Sequence, residues 1–287
     1  GPRMPEILHV SDLHFGPPFL PDRAEAVRRL ARAGSPDVVV VSGDFTQRAR
    51  EEQFEAAAEW LAGLEAPVVV TPGNHDVPLY RVHERFLSPY RLYRRHIDER
   101  LDAVHHLPGV TLVSLNSTRR FTFSNGRLTR AQLEFASEAL ASSPASDLRV
   151  VITHHHLAPP PDFARDRVMP GARRALALFG KLDVHLILAG HMHRAYVGDS
   201  LDFFPGESRE KGIVVAQCGT TTSARGRGRE RLGNSLNYIR ADREEIRVTH
   251  YLWRDGDHGF WPHSEHRFAT RPDIWLDRTD STTAVRP

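Results

Sequence analysis

Five short polar runs punctuate this chain, and each follows a mostly aliphatic stretch within one or two residues: Asp12-Leu13-His14 after 7–10, Gly43-Asp44 after 38–41, Gly73-Asn74-His75-Asp76 after 68–70, His154-His155-His156 after 150–152, and Gly190-His191-Met192-His193 after 186–188. Runs apolar at nearly every successive position do not suit strands with one wet face. They read as buried strands of a mainly parallel sheet, apolar on both sides. The carboxyl ends of such strands are expected to meet on one edge, where open α/β sheets hold their ligands.

What gathers there is a set of imidazoles, carboxylates and an amide oxygen. Nitrogen donors favour borderline divalent ions (Mn, Fe, Zn or Ni) over Mg and Ca, which prefer all-oxygen shells. The lone Cys218 excludes a cysteine-ligated structural zinc. Seven or eight donors exceed what one tetrahedral ion with an open position needs, but suit two ions about 3.5–4 Å apart that share a bridging carboxylate. Each run alone has an ordinary reading: Gly-Asp is a common turn, and Gly-Asn-His-Asp can satisfy its own side chains. Five in order, each at a strand end, point together to a dinuclear site and phosphoryl-ester hydrolysis.

The ordered pattern D-x-H, GD, GNH(D/E), H, GHxH over residues 12–193 resembles the calcineurin-like metallophosphoesterase family. The triple-histidine run and Gly219-Thr220-Thr221-Thr222-Ser223 are similar to its bacterial class III cyclic-nucleotide phosphodiesterase branch. The resemblance implies a four-layer α-β-β-α sandwich of two mixed β-sheets, with the dinuclear metal site at the C-terminal edge of the strands. It also implies that Asp12, His14 and His193 hold a first ion, that Asp44 bridges, and that Asn74, His191 and one histidine of the triple run hold a second. Relatives often read His-His-Pro with the ligand two places before the proline, and Leu157 stands where that proline would fall. His155 is favoured on this count, with His154 as the alternative; neighbouring strand residues point to opposite faces, so a regular strand cannot aim both at one ion.

By the same resemblance, a hydroxide bridging the ions attacks phosphorus in line. His75 acts as general acid near the leaving group, and Asp76 is a partner fixing an imidazole tautomer. Arg194, beside the last ligand, offers a planar fork to a substrate phosphate. The expected substrate is a small phosphodiester, with a 3′,5′-cyclic nucleotide as the narrower candidate. A phosphomonoesterase, a nuclease and a hydrolase of nucleotide-linked lipid precursors compete for the same site. The reading from another class is an inactive scaffold of this fold that binds a protein, which would be expected to have lost ligands.

At 287 residues the chain is expected to form a single metallophosphoesterase domain over 4–278, with 279–287 a frayed tail and Gly1-Pro2-Arg3 an expression scar. No run reaches the roughly 20 apolar residues of a membrane span, and no signal-peptide core opens the chain, so a cytoplasmic enzyme without a membrane partner is expected. Net charge is +2, and only Lys181 and Lys211 are lysine among the 38 basic residues. The densest basic stretch, Arg225 to Arg231, reads as a solvated glycine-spaced loop or as a rim over the metals. It lacks interleaved aromatics, so no stable nucleic-acid partner is expected. Arginine-rich faces leave a homodimer open.

Helices are expected over 21–33, 49–63, 79–101 with a break at Ser88-Pro89, 129–141 and 171–180. Further strands are expected at 110–115 and 184–189, and 213–218, 234–241 and 245–253 are expected to build a second sheet. Tyr80, Tyr90 and Tyr93 are placed to stack a base or to pack on the sheet. His9 is read as a core histidine and Cys218 as a buried inert thiol. His83, His96, His105 and His106 are read as solvated residues of a helical region, and His258, His263 and His266 as scattered near the end.

Overall fold

The computed structural model describes residues 3–157, 168–191, 196–199, 212–224, 233–242, 244–269 and 283–284. Among these, thirteen strands form two sheets. The first runs β13 (Thr283–Ala284), β12 (Gly259–Ala269), β11 (Glu245–Arg254), β10 (Ser235–Ala241), β1 (Glu6–Val10), β2 (Val38–Val41), β3 (Val68–Val70). The second runs β4 (Ala103–Leu107), β5 (Val110–Ser114), β6 (Leu148–Ile152), β7 (Leu186–Ala189), β9 (Val214–Gln217), β8 (Tyr196–Asp199). Strands β1, β2 and β3 are parallel, as are β5, β6, β7 and β9; β4, β8 and β10 to β13 pair antiparallel. Both sheets are therefore mixed.

Strand alternation explains why the aliphatic runs have no polar face. Val38 and Val40 point into a core shared with Leu112, Val150, Ile152 and Leu188 of the other sheet, whereas Val39 and Val41 point outward into a second core with Ala24, Val27, Phe54 and Trp60. The second sheet repeats the scheme, with Val113, Val151 and Ile187 facing Ala136, Leu140, Leu176 and Phe179. Those outer residues come from α1 (Pro21–Gly34) and α2 (Glu51–Ala62) on one side, and from α5 (Arg130–Ser142) and α6 (Ala172–Lys181) on the other. The result is a four-layer α-β-β-α sandwich. Helix α1 starts on Pro21, whose missing N–H costs nothing in the first turn, and ends at Ser35 in the left-handed region. Helix α5 begins with a capping box in which Gln132 N–H donates to Thr129 Oγ1 and Thr129 N–H donates to Gln132 Oε1.

Three expectations need correction. The motif strands do not share one sheet: β1, β2 and β3 belong to the first, β6 and β7 to the second, and an apolar strand carries no mark of which sheet it joins. The last third does not build the second sheet by itself, because β9 inserts beside β7 while β10, β11 and β12 extend the first sheet from β1. His105 and His106 lie on β4, not on a helix, since the helical insertion stops early in two short pieces, α3 (Val82–Leu87) and α4 (Arg91–His96), split at Ser88-Pro89. In the tail read as frayed, Thr283 and Ala284 pair with Glu265 and Ser264.

Candidate metal centre

Five loops leave the carboxyl ends of β1, β2, β3, β6 and β7 and converge where the two sheets open. Their backbone is tightly constrained. Asp12, His14, Asp44 and His191 all adopt positive φ, at 52°, 51°, 57° and 75°, a region that non-glycine residues seldom occupy and that clusters at functional sites. The glycines leave room for their neighbours. A Cβ on Gly73 would lie 2.2 Å from Asp44 Oδ1, and one on Gly43, itself at φ +101°, would lie 2.5 Å from His154 Nδ1.

Asp44 sits at the middle, buried. Its Oδ1 accepts the backbone N–H of His75 at 2.9 Å. Its Oδ2 lies 3.6 Å from His14 Nε2 on one side and 3.4 Å from His154 Nε2 on the other, and has no hydrogen-bond donor among the described residues. On the His154 side, Asn74 Oδ1 is 3.0 Å from His154 Nε2 and 3.1 Å from His191 Nδ1, and those two ring nitrogens face each other at 3.2 Å. His154 Nδ1–H donates to the Ser42 carbonyl at 2.7 Å, which turns Nε2 toward this group. On the His14 side, Asp12 Oδ1 is 3.7 Å from His14 Nε2, while Asp12 Oδ2 accepts from Ser11 Oγ at 2.6 Å and from His191 N–H at 3.1 Å.

The electrostatics ask for positive charge. Burial works against ionising Asp44, yet His154, His75 and His14 hold its carboxyl well below the usual carboxylate range. Burial alone would lower His154, but the Asp44 carboxylate lifts it to about 9. His191 is lowered to about 3 by burial and by His154, so its ring stays neutral with a lone pair to offer. Facing nitrogens and carboxylate oxygens around a buried acceptor without a donor are the donor set a divalent cation completes, displacing the His154 proton as it binds. The residues thus fit two ions on either side of Asp44.

His75 stands at the half-buried mouth. Its Nδ1–H donates to the Gln47 carbonyl at 2.9 Å, and its ring meets His14 edge-on with centroids 4.8 Å apart. Asp76 does not fix an imidazole, contrary to expectation. It is buried and accepts from the backbone N–H groups of Phe45, Thr46 and Gly73 at 3.1, 2.9 and 2.9 Å, locking the loop after β2 to the loop after β3. Burial and the neighbouring Asp44 charge push its carboxyl up to about 7 against those three donors.

In the triple-histidine run the geometry favours the alternative. The structure brings His154, not His155, to Asp44 and Asn74. The buried His155 ring is engaged at both nitrogens, Nδ1 by Ser117 Oγ at 2.6 Å and Nε2 by the Ser124 carbonyl at 2.9 Å. The strand ends at Ile152, so the alternation argument is counted from there and Leu157 is no guide to it. His193 and Arg194 lie outside the described residues, as do residues 225–231. Sequence reasoning passed over the supporting roles of Ser11, Ser42, and the threonines Thr220 and Thr222, whose hydroxyls donate to the carbonyls of Asp12 and Leu13 at 2.7 Å each. The run 219–223 was visible as a resemblance; that it braces the first ligand loop was not. His9 is a core histidine, buried, with Nε2 2.9 Å from Ser42 Oγ, and Cys218 is buried beside it.

With this geometry in hand, a family model for the calcineurin-like phosphoesterases matches residues 5–195. The chain belongs to the calcineurin-like phosphoesterase family. Among similar proteins of this family, a probable cyclic nucleotide phosphodiesterase of Rhodopseudomonas palustris is 30% identical over 184 residues, 60% of this chain and 63% of that protein. The 3′,5′-cyclic adenosine monophosphate phosphodiesterase CpdA of Escherichia coli is 26% identical over 55% of this chain and 54% of its own length. A probable glycerophosphodiester phosphodiesterase, GpdQ, of Arcobacter nitrofigilis is 28% identical over 55% of this chain and 57% of its own. The chain thus matches between about half and two thirds of the length of these relatives. Among solved structures, a dimetal phosphatase from Danio rerio superposes with a TM-score of 0.62 at 12% identity, covering 87% of this chain and 96% of that one. The purple acid phosphatase PPD1 of yellow lupin gives 0.66 at 14%, covering 99% and 57%. At such identities the structural likeness establishes the calcineurin-like fold.

Proposed function

We propose that this chain hydrolyses a small phosphodiester at a dinuclear divalent metal centre. Asp12, His14 and His193 hold one ion, Asp44 is shared, and Asn74, His154 and His191 hold the other. The observation that carries the reading is the Asp44 carboxylate, buried between two histidine groups with one oxygen left without a donor. When bound, the two ions supply positive charge for the phosphoryl oxygens and acidify a water. Nitrogen donors on both sides favour Mn, Fe, Zn or Ni.

The chain's own residues do the rest. Asp76 fixes the spacing between the loops of Asp44 and Asn74 through its three backbone donors. The Gln47 carbonyl holds the His75 Nδ1–H, so that the ring, once protonated at Nε2 as the imidazolium, delivers that Nε2 proton to the departing alkoxide and returns to the neutral Nδ1–H form. Ser42 sets the His154 tautomer in the same way. Asn74 and His75 are only half-buried, so substrate reaches the centre across them. Within the diester class, a 3′,5′-cyclic nucleotide is the favoured substrate, supported by the names of the Rhodopseudomonas and Escherichia relatives; the GpdQ relative makes a glycerophosphodiester the competitor.

The test is hydrolysis by metal-stripped protein resupplied with Mn²⁺, Fe²⁺, Zn²⁺, Ni²⁺ or Mg²⁺ in turn, on bis-p-nitrophenyl phosphate, p-nitrophenyl phosphate, 3′,5′-cyclic AMP and a glycerophosphodiester. Metal-dependent cleavage of diesters over the monoester is expected, with cyclic AMP turned over at least as well as the generic diester. Preference for the monoester overturns the diesterase reading. Turnover of the glycerophosphodiester alone replaces the cyclic nucleotide.

A further inference from the structure

We infer that the rim beside the metal centre docks on an anionic phospholipid surface. Of the seven exposed large apolar side chains among the described residues, six lie on two neighbouring segments: Tyr80, Val82, Phe86, Leu87, Phe121 and Phe123. Three of them stand almost clear of the body, Leu87 at 78% exposure, Phe121 at 77% and Tyr80 at 76%. Scattered single apolar residues are normal on a surface; a contiguous group marks a place of contact.

The two segments form one preformed surface. The buried Arg85 donates to the carbonyls of Pro78 and Thr122 at 2.9 and 2.7 Å and lies over the Phe123 ring at 4.5 Å. Arg120 donates to the Phe86 carbonyl at 2.6 Å, and the Phe86 and Phe121 rings stack with centroids 5.7 Å apart. The patch adjoins the centre, since Asn74 Nδ2 donates to the Phe123 carbonyl at 3.3 Å.

Charge selects the occupant. Residues 79–100 and 119–127 carry nine arginines against three acidic residues, while the whole chain is only +2, so these segments are net positive and the rest of the chain net negative. Part of that charge is paired: Glu84 meets Arg81 and Arg91, Asp98 meets Arg100, and Glu51 from outside the segments meets Arg95, while Arg94, Arg120 and Arg127 also stand exposed. A second copy of this chain meeting the same face would bring like charge against like. A nucleic acid strand calls for successive stacking rings, and two of the six protruding side chains, Val82 and Leu87, are aliphatic and offer none. Protruding aliphatic and aromatic tips amid arginines match the interfacial zone of a negatively charged bilayer, where rings and hydrocarbon insert and guanidinium groups meet phosphates. No helix among the described residues is long and apolar enough to cross a membrane, so the contact is peripheral. This reading revises the expectation of no membrane partner, and it opens the metal centre beside the lipid headgroups.

The test is co-sedimentation of the full chain with phosphatidylcholine vesicles and with vesicles containing 30% phosphatidylglycerol. Binding to the anionic vesicles at least tenfold tighter than to neutral ones is expected, weakening when salt rises from 0.1 to 0.5 M. The double variant Leu87→Ser, Phe121→Ser should lose at least tenfold in vesicle affinity with an unchanged melting temperature, because both side chains are solvent-exposed. Separately, Leu87→Trp should give a blue-shifted emission on anionic vesicles. No vesicle binding, equal binding to both compositions, or binding that survives the double variant overturns the inference. So does a concentration-dependent dimer abolished by the same variant, or an oligodeoxythymidine that binds this face more tightly than the vesicles do.

Discussion

Replacing His154 and His155 one at a time separates ligation from support within three residues of chain. His154→Ala removes one of the donor atoms gathered within 3.0–3.4 Å of Asn74 Oδ1, His191 Nδ1 and Asp44 Oδ2. Loss of a group that merely orients a ligand costs about 10–100-fold in metal affinity, so loss of a ligand should cost at least about 100-fold, or about 2.8 kcal/mol. His155→Ala removes two hydrogen bonds, to Ser117 and Ser124, and empties a buried position. Its effect should be on stability, about 2–4 kcal/mol, read as a fall in melting temperature on the order of 5–10 °C. The assay is metal content by mass spectrometry after exhaustive dialysis, followed by calorimetric titration of Mn²⁺ into stripped protein, with melting curves as the control for folding. Near two ions per chain are expected for the parent and for His155→Ala, and near one for His154→Ala. If His155→Ala loses an ion while His154→Ala keeps both, His154 does not hold the second ion.

Changing His75 to Ala should leave two ions bound and lower kcat by about 10²–10⁴-fold, most for diesters with poorly acidic leaving alcohols; a loss independent of leaving-group pKa in a substrate series rules out the general-acid role. Asp76→Asn sets an amide N–H₂ against backbone N–H donors that now meet carboxylate oxygen, a cost of about 1–3 kcal/mol that should appear in urea unfolding and as weaker Mn²⁺ binding by titration. His9 is buried and lowered to about 3 by burial, with Asp12 opposing. Its neutral ring contributes stability that is fully present above pH 6.5 and is lost as pH falls, by about 1.4 kcal/mol per unit. Stripped His9→Gln protein should therefore lose less stability between pH 7 and pH 5 than stripped parent in urea melts, and equal losses would show that His9 does not govern the acid limb.

Much of this organisation was legible in the sequence because strand and loop alternate with so little between them. Val38–Val41 followed by Gly-Asp fixes both a buried strand and the site at its end, since four consecutive valines require apolar neighbours on both faces. What the sequence withheld was assignment. Nothing in an aliphatic run distinguishes β2 from β6, so their separation into facing sheets emerges only from pairing. The choice between His154 and His155 depends on where β6 stops, and a boundary uncertain by one residue exchanges the two faces. Asp76 looked like a partner for an imidazole because its neighbours are histidines; in the fold its nearest donors are backbone amides from two other loops. The exposed rim was hidden for a similar reason, as Val82, Phe86 and Leu87 have the spacing of a helix that buries one side.

The two sheets meet through a packed core, and the proposed ligands at its open end come from both. Asp44 hangs from the first sheet and His154 from the second, so the gap between them measures the thickness of the hydrophobic filling beneath. That makes the centre a caliper on the core. A larger side chain at Val40 or Leu188, each on a strand that leads to the centre, would wedge the jaws apart and loosen the pocket proposed for the second ion, although no ligand had been touched.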